Sequence, residues 1–418
     1  MDTLQLAFLF ISIVASPICQ ADEMDEDYTW HIKKIPHIVS SDIINLKNPS
    51  YEAEPQLELN GTCGIECQRN LPLPSLADLE EYLSYETIYD NGTRTMTRVN
   101  VQDWHPETEM GREKPKHSRR KRHVYGTDSR FSISDKQFMT NYPFSTAVKL
   151  SSGCSGILIS PKHVLTAAHC IHDGKDYIKS AKKLRVGLLK IKSDRGGKRR
   201  RGSKRGREDA SEESPKKDGR KQRRKSVQKR SAAEEQANSL SGKERGSGAG
   251  KPSFQWTRVK AIQIAKGWFR DVSHNMSLDY DYSVLELKRP HKKKYMELGI
   301  SPEAEKMPGS RVHFSGFDED RPGQLVYRFC SISEQSKDLF YQYCDAEAGS
   351  SGSGIYIRLK EPNKKKWRRK IIAVYSGHQW VDVNNQQLDY NVAVRITPLK
   401  YAQICYWIHG NHDNCKQG

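Results

Sequence analysis

Residues 163–172 read HVLTAAHCIH, and this stretch is the strongest structural signal in the chain. Val164 and Leu165 have the apolar character of a β-strand, which breaks into small residues and ends on the pair His169 and Cys170. A candidate disulfide partner for Cys170 is Cys154, sixteen residues earlier, at the start of the apolar run CSGILIS. A bridge between them would tie two strands together and hold the loop that carries His169.

The sequence on both sides of this stretch is a series of short apolar runs separated by turns. Examples are FSTAVKLS, YSVLELK, GSRVHFSGF, LVYRFCSI, GIYIRL and YNVAVRI. Such a series predicts an all-β body. One helix is predicted at the end of the chain, in TPLKYAQICYWIHG, where Thr397 and Pro398 have the character of an N-cap and a first-turn proline.

Two further stretches complete a pattern with LTAAHC. In LDYDYSVLELK, Asp281 directly precedes an apolar strand, and Asp279, two residues earlier, is the alternative acid. Residues 347–356 read EAGSSGSGIY, which has the composition of a Gly/Ser linker but runs directly into a predicted strand. In this order, the three stretches resemble the trypsin-like serine proteases (peptidase S1). That resemblance implies a chymotrypsin-like fold, a double six-stranded β-barrel with a C-terminal helix.

The resemblance also implies a catalytic triad. His169 matches the general base of the family, Asp281 the acid that orients it, and Ser351 the nucleophile in a tight glycine turn. The backbone N–H groups of Gly349 and Ser351 match the oxyanion hole. The implied reaction is hydrolysis of a protein or peptide substrate through an acyl-enzyme.

Substrate-binding positions follow from the same match. Ser376 and Gly377 resemble the strand that pairs with the substrate. Asp345, six residues before Ser351, stands where a pocket for basic side chains has its acid, although its spacing from Cys344 differs from the family pattern.

One departure from the family concerns activation. Family members carry an Asp directly before the nucleophile, where it pairs with the α-amine freed by activation, whereas this chain has Ser350. Stretches such as NVAVRITPLKYAQICYWIHGN resemble a secreted vertebrate subgroup. Some of its members carry Thr as the nucleophile and are regarded as inactive, but here the residue is Ser351. Two hypotheses remain open, a serine endopeptidase and a catalytically inactive homologue.

The N-terminus has the character of a signal peptide, predicted over residues 1–21, with a buried N-terminal helix as the alternative. Its apolar run of about a dozen residues is too short to span a bilayer. Secretion to the extracellular space predicts that the cysteines form disulfides and that Asn60, Asn91 and Asn275 are glycosylated. No membrane span, cofactor or metal site is predicted, since Cys63 and Cys67 lack a second ligand pair at zinc-site spacing.

Composition divides the rest of the chain. Residues 22–122 are predicted to be a pro-region or small N-terminal segment, either folded or extended. It ends in RRKR, which predicts convertase cleavage after Arg122, with a solvated basic patch as the alternative. Residues 123–418 form the predicted protease domain. Within it, residues 193–250 have almost no apolar side chains and are predicted to be a disordered insert in a loop between strands.

The basic segments suggest a second kind of partner. Residues 195–230 contain seventeen Lys and Arg against five Asp and Glu, which is +12 of the net charge of +18. In a secreted chain the expected partner is heparan sulfate or another extracellular polyanion rather than nucleic acid. This hypothesis includes NKKKWRRK at residues 363–370, and the alternative is a solvated loop without a partner.

Overall fold

The computed structural model describes residues 34–55, 65, 71–104, 128–190, 253–272, 277–307, 310–360, 367–383 and 386–415. The predicted signal peptide, Arg122, the insert at 193–250, Cys63, Cys67, Asn60 and Asn275 lie outside these residues. None of the helices within them has the length and apolar character needed to cross a bilayer.

Strands dominate the described residues. They are β1 His37–Leu46, β2 Tyr85–Tyr89, β3 Arg94–Gln102, β4 Phe131–Ile133, β5 Ala147–Leu150, β6 Ser155–Leu158, β7 His163–Thr166, β8 Arg185–Lys190, β9 Ser253–Ala265, β10 Ser283–Leu287, β11 Glu297–Leu298, β12 Arg311–Gly316, β13 Leu325–Gln335, β14 Leu339–Gln342, β15 Gly354–Lys360, β16 Trp367–Val383 and β17 Gln386–Arg395. The α-helices are α1 Leu76–Leu83, α2 Lys136–Met139 and α3 Pro398–His409. The predicted fold class is confirmed, since the strands form two closed six-stranded antiparallel barrels.

The first barrel consists of β5 to β10, in the order β9-β10-β7-β6-β5-β8, and the pairing of β8 with β9 closes it. Apolar side chains from its strands form a buried cluster, and their burial is the main stabilising contribution to the barrel. In the antiparallel pair β7–β10, Thr166 lies opposite Ser283. The residues that follow β7 and those that precede β10 therefore emerge at the same end of the barrel.

The second barrel consists of β12 to β17, in the order β16-β15-β12-β13-β14-β17, and the pairing of β16 with β17 closes it. After β17 the chain forms the predicted C-terminal helix, α3. The Thr397 side chain caps its first turn, and Gly410 ends it in the left-handed conformation, with φ 72°. Inside the molecule, the Gln403 side chain accepts a hydrogen bond from the Tyr282 hydroxyl and donates one to the Leu83 carbonyl.

The described part of residues 22–122 is folded onto the first barrel. Strands β1, β3 and β2 extend its sheet through antiparallel pairing of β2 with β9. Glu86 on β2 is buried, and its carboxylate accepts a hydrogen bond from the Tyr177 hydroxyl at 2.5 Å. Burial raises the pKa of Glu86. The described part of residues 22–122 thus shares a core with the first barrel.

A buried histidine makes this barrel sensitive to acid. His172 is 3% exposed, and its ring centroid lies 4.8 Å from the rings of both Tyr177 and Phe269. Its Nδ1 accepts a hydrogen bond from the Gly174 N–H at 3.0 Å. Burial lowers the pKa of His172 to about 4, and the charges of Asp173, Arg94 and Arg270 contribute less. The neutral ring is therefore the form that the fold prefers.

We expect the free energy of unfolding to fall between pH 6.5 and 4 because of His172. The unfolded chain binds the proton near pH 6.5 and the folded chain only near pH 4, so acid favours unfolding within that window. Between pH 7 and 4.5 this residue should cost about 2 to 3 kcal/mol. Urea unfolding of wild type and His172→Asn at both pH values measures this. The Asn oxygen keeps an acceptor for Gly174 but does not titrate, so the variant should lose less stability. Equal losses would contradict the assignment.

Candidate active site

His169 lies in the turn that follows β7, and Asp281 lies two residues before β10. The ring Nδ1 of His169 donates to Asp281 Oδ2 at 2.8 Å, and its backbone N–H donates to Asp281 Oδ1 at 2.8 Å. Asp281 is fully buried and His169 is 5% exposed. Because one carboxylate holds both the ring and the backbone, the imidazole orientation is fixed. Nε2 is not bound by Asp281 and lies 3.7 Å from Cys170 Sγ. Asp279, the alternative acid, lies in the preceding 3-10 turn.

A disulfide joins Cys154 to Cys170, next to His169. It ties the start of β6 to the turn that carries the imidazole, as the spacing predicted. The sulfurs of both cysteines and a ring nitrogen of His169 lie within 4.8 Å of one another. The two sulfurs are bonded to each other, so this group does not offer the thiolates that a metal would need. Of two further disulfides, Cys330–Cys344 lies in the second barrel, and Cys405–Cys415 joins α3 to the turn that follows it.

Ser351 lies in a turn with two glycines at positions where close contacts leave no room for a side chain. Gly349 has φ +90°, and a Cβ there would lie 2.5 Å from the Phe317 carbonyl oxygen. Gly352 has φ +83°, and a Cβ there would lie 2.2 Å from Thr166 Oγ1 and 3.0 Å from the Ala167 nitrogen. The turn therefore packs directly against the chain that leads to His169.

Backbone hydrogen bonds hold the same turn between the two barrels. The Ser155 N–H donates to the Ser351 carbonyl at 2.8 Å, and the Gly352 N–H donates to the Tyr375 carbonyl at 2.7 Å. Residues 347–356 are thus a packed turn that leads into β15, although their composition is that of a linker. Within the described residues, the N–H groups of Gly349 and Ser351 donate to no protein acceptor. Two free N–H groups beside a serine can bind an oxyanion.

Comparison with known proteins identifies the family. The family profile described as Trypsin matches residues 134–219. Inactive serine protease 35 of Homo sapiens is 62% identical over 402 residues, which cover 96% of each chain. The protein of the same name from Mus musculus is 58% identical over 418 residues, 99% of each chain. Serine protease 23 of Homo sapiens is 46% identical over 394 residues, 93% of this chain and 92% of the relative.

The chain belongs to the trypsin-like serine protease family. The resemblance to the subgroup of serine proteases 35 and 23 is also shown. A solved structure, described as "Structure of Glu endopeptidase in complex with MPD", aligns with 68% of this chain and 97% of its own. Its TM-score is 0.41 at 15% sequence identity.

The strand expected to pair with substrate in this trypsin-like chain is the second half of β16. The pairing of β15 with β16 ends at Gly354 and Val374, and β17 pairs with the other edge of β16. Ser376 and Gly377 follow directly, at a bulge, and Ser376 is fully buried. Beyond Val374, one edge of β16 has no strand partner within the described residues. An extended peptide can add to such an edge, which begins beside the nucleophile turn.

Asp345 has a different environment from that of a pocket acid. Its Oδ2 accepts two hydrogen bonds from Ser129, one from the backbone N–H and one from Oγ, both at 2.7 Å. The acid therefore anchors the start of the described domain to the segment before the nucleophile turn. Asn91, one of the three predicted glycosylation sites, lies exposed in the hairpin between β2 and β3.

Two parts of the site were not predicted from the sequence. One is the Ser155 side chain, which contacts the nucleophile turn. The other is Asp318, a fully buried acid paired with Arg130 and Arg328. The sequence did contain a signal for the pair of Asp318 and Arg328, because Arg328 lies on the same face of β13 as the buried Val326. A core-facing arginine requires a buried carboxylate.

We expect the double substitution Cys154→Ala/Cys170→Ala to lower the free energy of unfolding by about 3 kcal/mol, since the bridge closes a loop of about 16 residues. Urea unfolding under oxidising conditions measures this. The control Cys405→Ala/Cys415→Ala removes a bridge that closes a shorter loop, away from His169. Both variants should lose stability, but the NMR signals of the His169 ring should broaden only in Cys154→Ala/Cys170→Ala. Equal broadening in both would contradict a positioning role for the first bridge.

Proposed function

We propose that this chain is a secreted serine endopeptidase that hydrolyses peptide bonds through an acyl-enzyme. The observation that carries the proposal is the pair of His169 and the fully buried Asp281, with 2.8 Å between Nδ1 and Oδ2. Support comes also from Ser351, which retains the nucleophilic hydroxyl in a turn with two free N–H groups. Relatives named serine protease 23 agree with an active member of the family.

The residues have these roles in the proposed reaction. Ser351 Oγ attacks the scissile carbonyl while His169 Nε2 accepts its proton, and Asp281 stabilises the imidazolium. The carbonyl oxygen, now negatively charged, accepts hydrogen bonds from the N–H groups of Gly349 and Ser351. His169 then gives the proton to the leaving amine. Water repeats the same steps on the acyl-enzyme and frees Ser351.

The alternative is a catalytically inactive homologue with the same fold. It is supported by the name of the relatives called inactive serine protease 35. It is also supported by Ser350, which stands where active relatives have the acid that receives the freed α-amine. On this alternative the domain binds a partner and does not turn over substrate.

A fluorophosphonate probe distinguishes the two, because it reacts with an activated serine and forms a stable adduct. The full chain, expressed with processing after Arg122 verified, should be labelled, and Ser351→Ala should abolish the labelling. Ser353→Ala is the matched control, since Ser353 is buried two residues away and its Oγ has no hydrogen-bond partner within the described residues. Absence of labelling in folded, processed wild type would establish the inactive alternative.

A second candidate function, binding of heparan sulfate or a similar sulfated polysaccharide, is supported by a basic groove. The groove has a volume of about 550 Å³ and lies between the first barrel and the N-terminal segment. Its cationic lining residues are Lys182, Lys183, Arg185, Arg258 and Lys260. Asp90 is the one acid in the lining, and Lys288 pairs with it at 2.8 Å. The groove therefore presents an excess of positive charge to an anionic chain. Of residues 363–370, the described part begins at Trp367.

Heparin affinity chromatography with a salt gradient tests the groove. Replacing Lys182, Lys183 and Arg185 together by Ser should lower the salt concentration at elution, because three lining cations are lost. The control replaces Arg289, Lys292 and Lys294, which are exposed and outside the groove, and removes the same charge. Deletion of residues 193–250 measures the share of the insert. Identical elution of the two triple variants would contradict a site in the groove.

A further inference from the structure

The turn that contains Gly349, Ser350 and Ser351 is called the oxyanion turn below. Ser350 cannot form the ion pair by which an acid at its position would support this turn. Ser350 is fully buried, and its Oγ donates to the Glu347 carbonyl at 2.6 Å, a bond within the same turn. The turn is instead contacted by residues 317–319, which follow β12. The Glu319 N–H donates to the Ala348 carbonyl at 2.7 Å.

That bond sets the direction of an oxyanion donor. The Ala348 carbonyl and the Gly349 N–H belong to one trans peptide unit, so they point in opposite directions. Because Glu319 holds the carbonyl, the Gly349 N–H is directed away from residues 317–319. The Gly349 carbonyl is held in turn by Ser155 Oγ at 2.7 Å. Both peptide units that flank the Gly349 Cα are therefore fixed by contacts outside the turn.

Residues 317–319 are themselves held at two points. The Phe317 N–H donates to Ser155 Oγ at 2.8 Å, so one hydroxyl bridges this segment and the oxyanion turn. Asp318 is fully buried, and its Oδ2 accepts hydrogen bonds from Arg130 Nη1 at 2.9 Å and from Arg328 Nη2. A buried carboxylate requires such partners, and it fixes the backbone to which it belongs.

Two acids besides Asp318 bind the Arg130 guanidinium. Its Nε donates to Asp128 at 3.0 Å and its Nη2 to Asp320 at 2.8 Å. The hydrogen bond from Arg130 lowers the pKa of Asp128 to about 2. The neighbouring Ser129 donates to Asp345, which precedes the oxyanion turn. Residues 128–130 thus contact both the chain that leads into that turn and the segment 317–320 that supports it.

We propose that Arg130 is a positioning residue of the active site, which acts through Asp318 and the Glu319 N–H to aim the Gly349 N–H into the oxyanion hole. In active relatives the supporting cation is a freed α-amine and its acid precedes the nucleophile. Here the cation is a guanidinium eight residues after the predicted cleavage site, and the acid is Asp318. The effect of Arg130 on catalysis rests on the proposed role of Ser351, whereas its effect on the conformation of the turn does not.

Two measurements on the full, processed chain test this inference. The first is the rate of fluorophosphonate labelling, since the phosphoryl oxygen of the probe must enter the oxyanion hole. The second is hydrogen exchange of peptides that cover residues 345–353. The variants are Arg130→Gln, the conservative Arg130→Lys, and Arg321→Gln as control. Arg321 contacts Asp128 and Asp320, and its Nη1 donates to the Arg130 carbonyl at 3.1 Å. The control thus changes the surroundings of Arg130 but leaves in place Arg130 and Arg328, the cations paired with Asp318 in the described residues.

Labelling of Arg130→Gln should be ten- to a hundredfold slower than that of wild type, on the order of the loss of part of one oxyanion donor. Arg130→Lys should lie between the two, and Arg321→Gln should match wild type. Exchange over residues 345–353 should rise in Arg130→Gln alone. If Arg130→Gln does not fold, the smaller slowing in Arg130→Lys carries the test.

The outcomes separate this inference from the proposed function. If wild type labels and Arg130→Gln labels equally fast, or Arg321→Gln is slowed as much, the positioning role is overturned. If wild type does not label, the proposed enzyme function fails. In that case faster hydrogen exchange of residues 345–353 in Arg130→Gln still supports the positioning of the oxyanion turn by Arg130, and unchanged exchange overturns it.

Discussion

Backbone hydrogen bonds from both barrels fix the turn that carries Ser351. The Ser155 N–H on β6 binds the Ser351 carbonyl, and the Tyr375 carbonyl on β16 accepts the Gly352 N–H. The contacts are so close that a single Cβ at Gly352 would overlap Thr166. The relative placement of His169 and Ser351 thus depends on both barrels at once.

Buried charges define the rest of the site, and each is compensated locally. Asp281 has the ring and backbone of His169, whereas Asp318 has two guanidinium groups. Arg328 is fully buried and also stacks on the Phe314 ring, 4.9 Å from its centroid. A buried ion pair adds little net stability because desolvation opposes it, but losing one partner is costly. The value of such pairs here is geometric, since they permit few alternative backbone conformations.

The two candidate functions use different surfaces, and neither excludes the other. The proposed chemistry uses the turns where the barrels meet. The basic groove lies where the N-terminal segment covers the first barrel, and Tyr51 contributes to its wall beneath Lys182. A chain without turnover would retain this groove, because its lining residues make no contact with the triad. The described part of the N-terminal segment therefore contributes to the groove as well as to the sheet that it extends.

The amino-acid sequence alone determined the all-β class, the C-terminal helix and the three stretches that carry His169, Asp281 and Ser351. Those features are local, since strand alternation, a glycine turn and a cap are encoded by neighbouring residues. Tertiary structure alone decided that Asp345 binds Ser129, that the Ser155 hydroxyl donates to the Gly349 carbonyl, and that Arg130 pairs with Asp318. The last two residues are 188 positions apart. Local patterns carry no information about such a pairing, because only the tertiary fold brings the two side chains together.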